Sequence, residues 1–131
     1  MNRSRSSRIE GRRSYGGVLA VPCLLNGTFR YWMLVDTGAA LTLLSQQAAE
    51  EMGLDLSRAV RQEHIASIHR TVPVPVLPLE SLQVGAHRVS DMEVVVLPLP
   101  PELRIDGLLG INFLERFRPT FEFDRGTLVL R

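Results

Sequence analysis

The fold is decided by residues 29–45, which read FRYWMLVDTGAALTLLS. The first seven of these residues are mostly aromatic or apolar, which predicts a β-strand over 29–35. Thr37-Gly38 then turns the backbone, because glycine and small polar residues are typical of turns. Asp36 is therefore expected on a loop that is held at the end of a strand.

A hairpin signal precedes this strand. Asn26-Gly27 favours a type I′ turn, because that turn needs a positive φ at both central positions. Residues 18–25 and 28–35 are therefore predicted to pair as antiparallel strands.

The rest of the chain alternates short β-rich runs with turn residues, which is typical of an all-β domain. A short helix is predicted over 46–52, with Ser45 as its N-cap and Gly53 as its C′ residue. The remaining predicted elements are an edge or irregular strand at the proline-rich 72–78, strands at 82–84 and 89–97, a helix at 111–117, and a closing hairpin of 121–123 and 127–130.

Length and composition place the chain among ordinary globular proteins. Its 131 residues suit one domain, and 45% hydrophobic with 22% charged residues argues against disorder along most of the length. No apolar stretch approaches the roughly 20 residues that span a bilayer, and no secretory signal follows the basic start. We therefore expect a cytoplasmic protein, with the soluble domain of a longer or anchored protein as the alternative.

Charge and cysteine content exclude several kinds of site. The formal net charge is +1, but residues 1–13 carry five arginines and one glutamate, which leaves ten arginines against thirteen acids in residues 14–131. A nucleic-acid-binding face needs a basic patch on the folded domain, so none is expected. Cys23 is the only cysteine, which excludes an intrachain disulfide and Cys-rich zinc sites and predicts a small buried strand residue.

The N-terminal residues differ from the rest. Residues 1–14 are rich in arginine and serine and lack hydrophobic periodicity, so they are predicted to be a flexible arm, and residues 15–131 the folded domain. Residues 9–12 read IEGR, the cleavage sequence of the clotting protease factor Xa. A vector-derived segment, a natural arm and part of a longer protein are the alternatives for this stretch.

Two motifs about seventy residues apart carry a family resemblance. Asp36-Thr37-Gly38-Ala39 stands between apolar runs, and Asp106-Gly107-Leu108-Leu109-Gly110 leads into Ile111-Asn112-Phe113-Leu114. Together with the Asn-Gly hairpin and the short helix, this order of parts resembles the retropepsin-like aspartic proteases over about residues 16–131. The resemblance implies an all-β fold with one or two short helices, in which a half-barrel is closed by homodimerisation.

The resemblance also implies an aspartic endopeptidase in which Asp36 is catalytic. Such enzymes use two carboxylates that share one proton, and this chain has one Asp-Thr-Gly, so each subunit of a homodimer would supply one Asp36. An extended polypeptide substrate is implied, without nucleic acid, cofactor or metal. The other implied site residues are Thr37 and Gly38 as supports of the active-site loop, Ala39, Ala40, Ile65, Ala66 and Ser67 as substrate contacts, and Leu108, Leu109 and Gly110 as the structural ψ-loop.

Asp106 is the competing second carboxylate within one subunit. Asp-Gly is most often a turn, and the family places this residue at the periphery, so Asp106 is not assigned to catalysis. His64 and His69 lack a third ligand at suitable spacing and are expected to be loop residues. Phe29, Trp32, Phe113 and Phe117 are expected to fill the core.

The flap is where the sequence departs from the family pattern. Residues 54–84 contain no glycine, and residues 63–70 occupy the position of the flap tip. Closing loops need residues that absorb backbone change, so closure over substrate is in question. A non-catalytic dimerisation or peptide-binding module is therefore the alternative function, and a protease domain that cleaves its own arm from a longer precursor is a third.

Overall fold

The computed structural model describes residues 6–13, 17, 19–66 and 70–131, in which most of the regular secondary structure is β-strand. The strands are β1 (Ser7–Glu10), β2 (Arg12–Arg13), β3 (Leu19–Leu25), β4 (Phe29–Val35), β5 (Thr42–Ser45), β6 (Arg61–Ala66), β7 (Thr71–Val84), β8 (His87–Leu97), β9 (Gly107–Leu109), β10 (Thr120–Glu122) and β11 (Thr127–Leu130). The helices are α1 (Gln46–Glu51) and α2 (Ile111–Leu114), with 3₁₀ turns at Leu56–Arg58 and Pro101–Leu103. The predicted all-β class with short helices is confirmed. Among the described residues, no helix is long and apolar enough to cross a membrane.

The strands form two sheets. The larger has the order β2-β3-β4-β9-β5-β8-β7-β6, and the smaller has the order β1-β11-β10. β3 also pairs with β7, through Leu24 opposite Gln83 and Leu25 opposite Leu82, so the large sheet curls back on itself. This curvature encloses the core and leaves the β6–β7 hairpin projecting from one end of the sheet.

The main core lies inside the curled sheet and under α1 and α2. Met33, Leu82 and Phe113 are fully buried there, and Cys23 is buried among them as expected. Burial of the Cys23 thiol raises its pKa well above the usual range, so the group behaves as a small hydrophobe. A second cluster, Leu43, Val74, Val76 and Val95, lies between β5 and the β6–β7 hairpin.

The aromatic side chains follow the core prediction with one exception. Phe113 is fully buried, Phe117 lies 5.1 Å from it between ring centroids, and Phe29 packs against the core edge. Trp32 is only half-buried, and the guanidinium of Arg12 lies 4.2 Å from its ring centroid. Trp32 therefore serves as a platform for an N-terminal arginine rather than as core filling.

The local turn and cap signals are confirmed. Asn26 and Gly27 have φ of 51° and 69°, as a type I′ turn requires, and β3 and β4 pair as antiparallel strands, with Leu25 opposite Phe29. The Ser45 hydroxyl accepts a hydrogen bond from the Ala48 N–H at 3.1 Å, and Gly53 ends α1 with φ of 75°. Helix α2 is shorter than predicted, because Glu115–Phe117 continue as a turn.

The proline-rich segment is part of the long strand β7. Pro73 and Pro75 lie where β7 pairs with β6 alone, and Pro78 lies where it pairs with β8 alone. Proline donates no ladder hydrogen bond, so it is tolerated where one side of the strand has no partner. The edge character predicted for this segment therefore holds locally within a strand that is longer than expected.

The prediction of a flexible arm over residues 1–14 is wrong for residues 7–13. β1 pairs with β11 from Ser7 opposite Leu130 to Glu10 opposite Thr127, and β2 pairs with β3. Ile9 is buried in the core, with 6% of its surface exposed. One apolar residue among polar neighbours gives no periodic signal, and the strand is specified by the partner β11. Residues 1–5 and Ser14 lie outside the described residues.

Candidate active site

Asp36 follows β4 directly and begins a tight turn. Its Oδ1 accepts a hydrogen bond from the Gly38 N–H at 2.8 Å, and its carbonyl oxygen accepts one from the Ala39 N–H at 3.3 Å. A methyl group at Gly38 would lie 3.2 Å from the same Oδ1, so glycine lets the backbone approach the carboxylate. Asp36 is half-buried, whereas Thr37 and Gly38 are exposed. The turn thus holds one carboxylate in place at the surface of the domain.

Strand β9 supports this turn from inside the domain. β9 runs parallel to β4 and antiparallel to β5, and the Asp36 N–H donates to the Leu109 carbonyl at 3.0 Å. The Ala39 carbonyl accepts from the Ile111 N–H at 2.8 Å. At Gly110 a methyl group would lie 2.7 Å from that same carbonyl oxygen, which leaves room only for glycine. The loop conformation therefore depends on close backbone contact with β9 and the start of α2.

A polar network next to the turn was missed by the sequence analysis. Asn112 Oδ1 accepts from both the backbone N–H and the hydroxyl of Thr42, each at 2.8 Å, and Asn112 Nδ2 donates to the Glu93 carbonyl at 2.9 Å. Thr42 Oγ1 in turn accepts from the Gly110 N–H at 3.1 Å. The available signal was one polar residue inside each of two apolar runs, 41–44 and 111–114.

A cavity of about 450 Å³ opens beside Asp36, between the turn and the β6–β7 hairpin. Ala39, Ala40, Ile65 and Ala66, which the sequence analysis expected at the substrate, line it together with Asp36. Ser67 lies outside the described residues. The lining residues not singled out from the sequence for this role are Gly38, Leu41, Leu43, Glu63, His64, Val95 and Leu108. Its size falls within the range of small-ligand and side-chain pockets.

The β6–β7 hairpin covers this cavity, at the position predicted for the flap. Its register runs from Arg61 opposite Val76 to Ala66 opposite Thr71. The tip residues 67–69, and with them His69, lie outside the described residues. His64 is exposed and lines the cavity, and the described residues contain no cluster of three or more His, Cys, Asp or Glu side chains suited to a metal ion.

An ion-pair group anchors the base of the hairpin. Arg61 binds Glu93 through both terminal nitrogens, each at 2.8 Å, and its Nε donates to Glu63 Oε1 at 2.9 Å. The pairing with Arg61 holds the pKa of the Glu93 carboxyl below its usual range. These ion pairs connect the hairpin to Glu93 of β8, whose carbonyl oxygen also accepts the hydrogen bond from Asn112.

Asp106 occupies a different place from Asp36. Its N–H donates to the Trp32 carbonyl at 2.8 Å, its Oδ2 accepts from the Trp32 N–H at 3.0 Å, and its carbonyl accepts from the Ser45 N–H at 2.7 Å. Partial burial raises the pKa of the Asp106 carboxyl. It lines a second cavity, of about 230 Å³, and not the one beside Asp36.

Comparisons with known proteins agree with this geometry. A family model described as aspartyl protease matches residues 21–113, which include the Asp36 turn, the β6–β7 hairpin and β9. A retropepsin-like aspartic protease from Rickettsia conorii, known from a crystal structure, is 25% identical and superposes with a TM-score of 0.72 over 96% of this chain and 89% of that chain. A search of curated proteins found no match. The family match covers most of the chain and the fold agrees along nearly all of it, so the chain belongs to the aspartyl protease family and has the retropepsin-like fold.

Proposed function

We propose that the protein is a homodimeric aspartic endopeptidase, in which two Asp36 carboxylates, one from each subunit, activate a water molecule. The observation that carries this proposal is the position of Asp36, whose carboxylate borders the cavity beneath the hairpin. The turn that holds it is fixed by backbone hydrogen bonds to Leu109 and Ile111. Catalysis benefits from such fixed groups, because little reorganisation is then needed during the reaction.

The need for a second subunit follows from the chemistry of the carboxylates. Peptide hydrolysis by activated water uses one carboxylate as the base and a second, protonated one as the acid, and two carboxyls about 3 Å apart share a single proton. Asp106 is committed to Trp32 and lies in another cavity. The exposure of Thr37 and Gly38 beside Asp36 supports a twofold contact at this turn, where Thr37 would bond across the interface.

The substrate we propose is an extended polypeptide between the hairpin and the turn. Ala39 and Ala40 would contact it from the turn, and Ile65, Ala66 and Ser67 from the hairpin. Leu41, Leu43, Val95 and Leu108 supply the apolar walls of the cavity. An extended peptide offers alternate side chains to such pockets while its backbone hydrogen-bonds to strands.

In the proposed reaction the ionised Asp36 accepts a proton from water, and the resulting hydroxide forms a bond to the scissile carbonyl carbon. The protonated Asp36 of the other subunit gives its proton to the carbonyl oxygen, which forms a neutral diol. When the diol breaks down, the Asp36 that took a proton from water gives it to the leaving nitrogen and the C–N bond breaks. The other Asp36 takes a proton from a diol hydroxyl, which restores one ionised and one protonated carboxyl. No acyl-enzyme forms, so serine and cysteine reagents should have no effect.

The alternative is a non-catalytic dimerisation or peptide-binding module of the same fold. The glycine-free segment 54–84 favours it, because Pro73 and Pro75 stiffen one strand of the hairpin and no glycine eases its movement. The two functions differ in whether bound peptide is cut.

Cleavage of an unfolded protein from pH 3 to 7 tests the proposal, with wild type and Asp36→Asn compared in the presence and absence of pepstatin. We expect cutting by the wild type at acidic to mildly acidic pH and a loss of at least about a thousandfold in the variant. Circular dichroism and sedimentation report whether both proteins remain folded and dimeric. If both are inert while folded and dimeric, the binding module is the better description.

A further inference from the structure

The cavity beside Asp36 has a mostly apolar lining that also includes three polar side chains, Asp36, Glu63 and His64. Glu63 lies on β6 two residues before Ile65, and because side chains alternate along a strand the two share one face. Both are half-buried and both line the cavity, as do the apolar residues Leu43 and Leu108. A carboxylate in this position makes the wall of the cavity negative unless a cation neutralises it.

Arg61 compensates this carboxylate only in part. Both terminal nitrogens of Arg61 are used by Glu93, and Glu63 receives the single Nε donor. Two carboxylates therefore share one guanidinium, which leaves a net negative charge at the wall of the cavity. The side chain of Glu63 is 44% exposed, so it is accessible from the cavity.

We propose that Glu63 makes this cavity a subsite for a basic substrate side chain. The aliphatic stem of an arginine or lysine would pack against Leu41, Leu43, Val95 and Leu108, and its charged end would reach Glu63. The inference rests on the proposed peptidase function and adds a preference among peptide sequences. Glu63 is a specificity-determining residue in this proposal and takes no part in the bond-breaking chemistry.

The test begins with a library of proteome-derived peptides cut by the wild type at pH 6, with the cleavage sites identified by mass spectrometry. We expect arginine and lysine to be enriched at one position within a few residues of the cut bond. Matched peptides that carry lysine or norleucine at that position then compare the same stem with and without the charge. The wild type should favour lysine by about fivefold in kcat/KM, as expected for a partly exposed ion pair.

Two variants complete the experiment. Glu63→Gln should lower the ratio of kcat/KM for the lysine peptide to that for the norleucine peptide to about one. Glu80→Gln, which removes the same charge from an exposed residue of β7 outside the cavity, should keep the wild-type ratio. The ratio within each variant cancels any general effect on the hairpin. A ratio near one in the wild type, or an unchanged ratio in Glu63→Gln, overturns the inference while cleavage itself upholds the peptidase. If the wild type cuts nothing, the proposed function fails, and calorimetric binding of the same peptide pair to the wild type and Glu63→Gln decides the charge preference.

Discussion

Two aspartates that look alike in the sequence have opposite surroundings in the fold. Asp36 accepts its hydrogen bond from Gly38 inside its own turn and borders the large cavity. Asp106 donates one hydrogen bond to the backbone of Trp32 and accepts another from it, and its carbonyl oxygen accepts a third from the Ser45 N–H. Asp106 therefore connects β4, β5 and the segment before β9. Asp36 precedes Thr37-Gly38 and Asp106 precedes Gly107. The residues that follow each aspartate therefore do not by themselves separate a candidate site residue from a structural one.

The Asp106 carboxyl gives a pH prediction with a definite sign. Burial raises its pKa in the folded state, so the fold favours the protonated form. The stabilisation is therefore present below the unfolded pKa of about 3.9 and is lost as the pH rises through the folded pKa. Asp106→Asn keeps an oxygen acceptor for Trp32 and cannot ionise. We expect the free energy of unfolding of this variant, measured by urea titration and compared with that of the wild type, to increase between pH 3 and pH 7.

Asp55 supplies a control of opposite sign. Hydrogen bonds from Ser57 lower its pKa in the folded state, so its contribution is present above the unfolded pKa and is lost as the pH falls. Asp55→Asn should therefore become less stable relative to wild type between pH 3 and pH 7. The same trend in both variants would contradict the assignment of the Asp106 shift to burial.

At the scale of elements, β1 shows how a strand can be specified by its partner. Ser7 accepts from the Ala86 N–H at 3.0 Å and lies 2.9 Å from His87 Nδ1, and Ile9 enters the core two residues later. These contacts attach the N-terminal strand to both sheets. The residues that bond to β1, which are Ala86, His87 and those of β11, lie more than seventy positions away along the chain. No local sequence pattern therefore predicts this strand.

The burial of Ile9 predicts that this strand contributes to stability. Ile9→Ala should lower the free energy of unfolding by about 2–5 kcal/mol, because it leaves a void in the core. Arg8→Ala, which removes a side chain that is 54% exposed and paired with Glu122, should cost about 0–1 kcal/mol. Urea denaturation of both variants measures the difference. Equal, near-zero effects would show that β1 is dispensable and that the arm predicted from the sequence is the better description.

The elements that the sequence predicted correctly are those whose conformation is fixed by residues close together along the chain. Asn26-Gly27 fixes its own backbone conformation, and Ser45 caps the helix that follows it within three residues. The candidate site divides in the same way. Asp36 and Ala39 followed from the Asp-Thr-Gly-Ala motif, and the flap segment followed only from its expected position along the chain. Glu63 and the Thr42–Asn112 network did not, because their roles arise from strands that meet only after folding.

For the whole molecule, the proposed activity belongs to the dimer, so its dependence on subunit composition is the most direct prediction. Asp36→Asn is expected to preserve the fold, since a side-chain oxygen can still accept from Gly38. When wild type and Asp36→Asn are mixed in equal amounts and allowed to exchange subunits, about one quarter of the dimers carry two aspartates if assembly is random. Cleavage should then fall to about one quarter of the all-wild-type value at the same total concentration.

Catalysis within a single subunit would respond differently to this mixing. Each wild-type chain would then act alone, and cleavage would fall only to about one half, in proportion to its share of the mixture. Mixing with Glu80→Gln, an exposed and catalytically unassigned position, should leave cleavage unchanged and controls for effects of exchange itself. The quadratic and linear curves differ most in absolute rate at equal amounts, and the ratio between them grows as the variant comes into excess. A titration of Asp36→Asn at fixed total protein, followed by initial cleavage rates, therefore distinguishes a shared pair of aspartates from a self-sufficient chain.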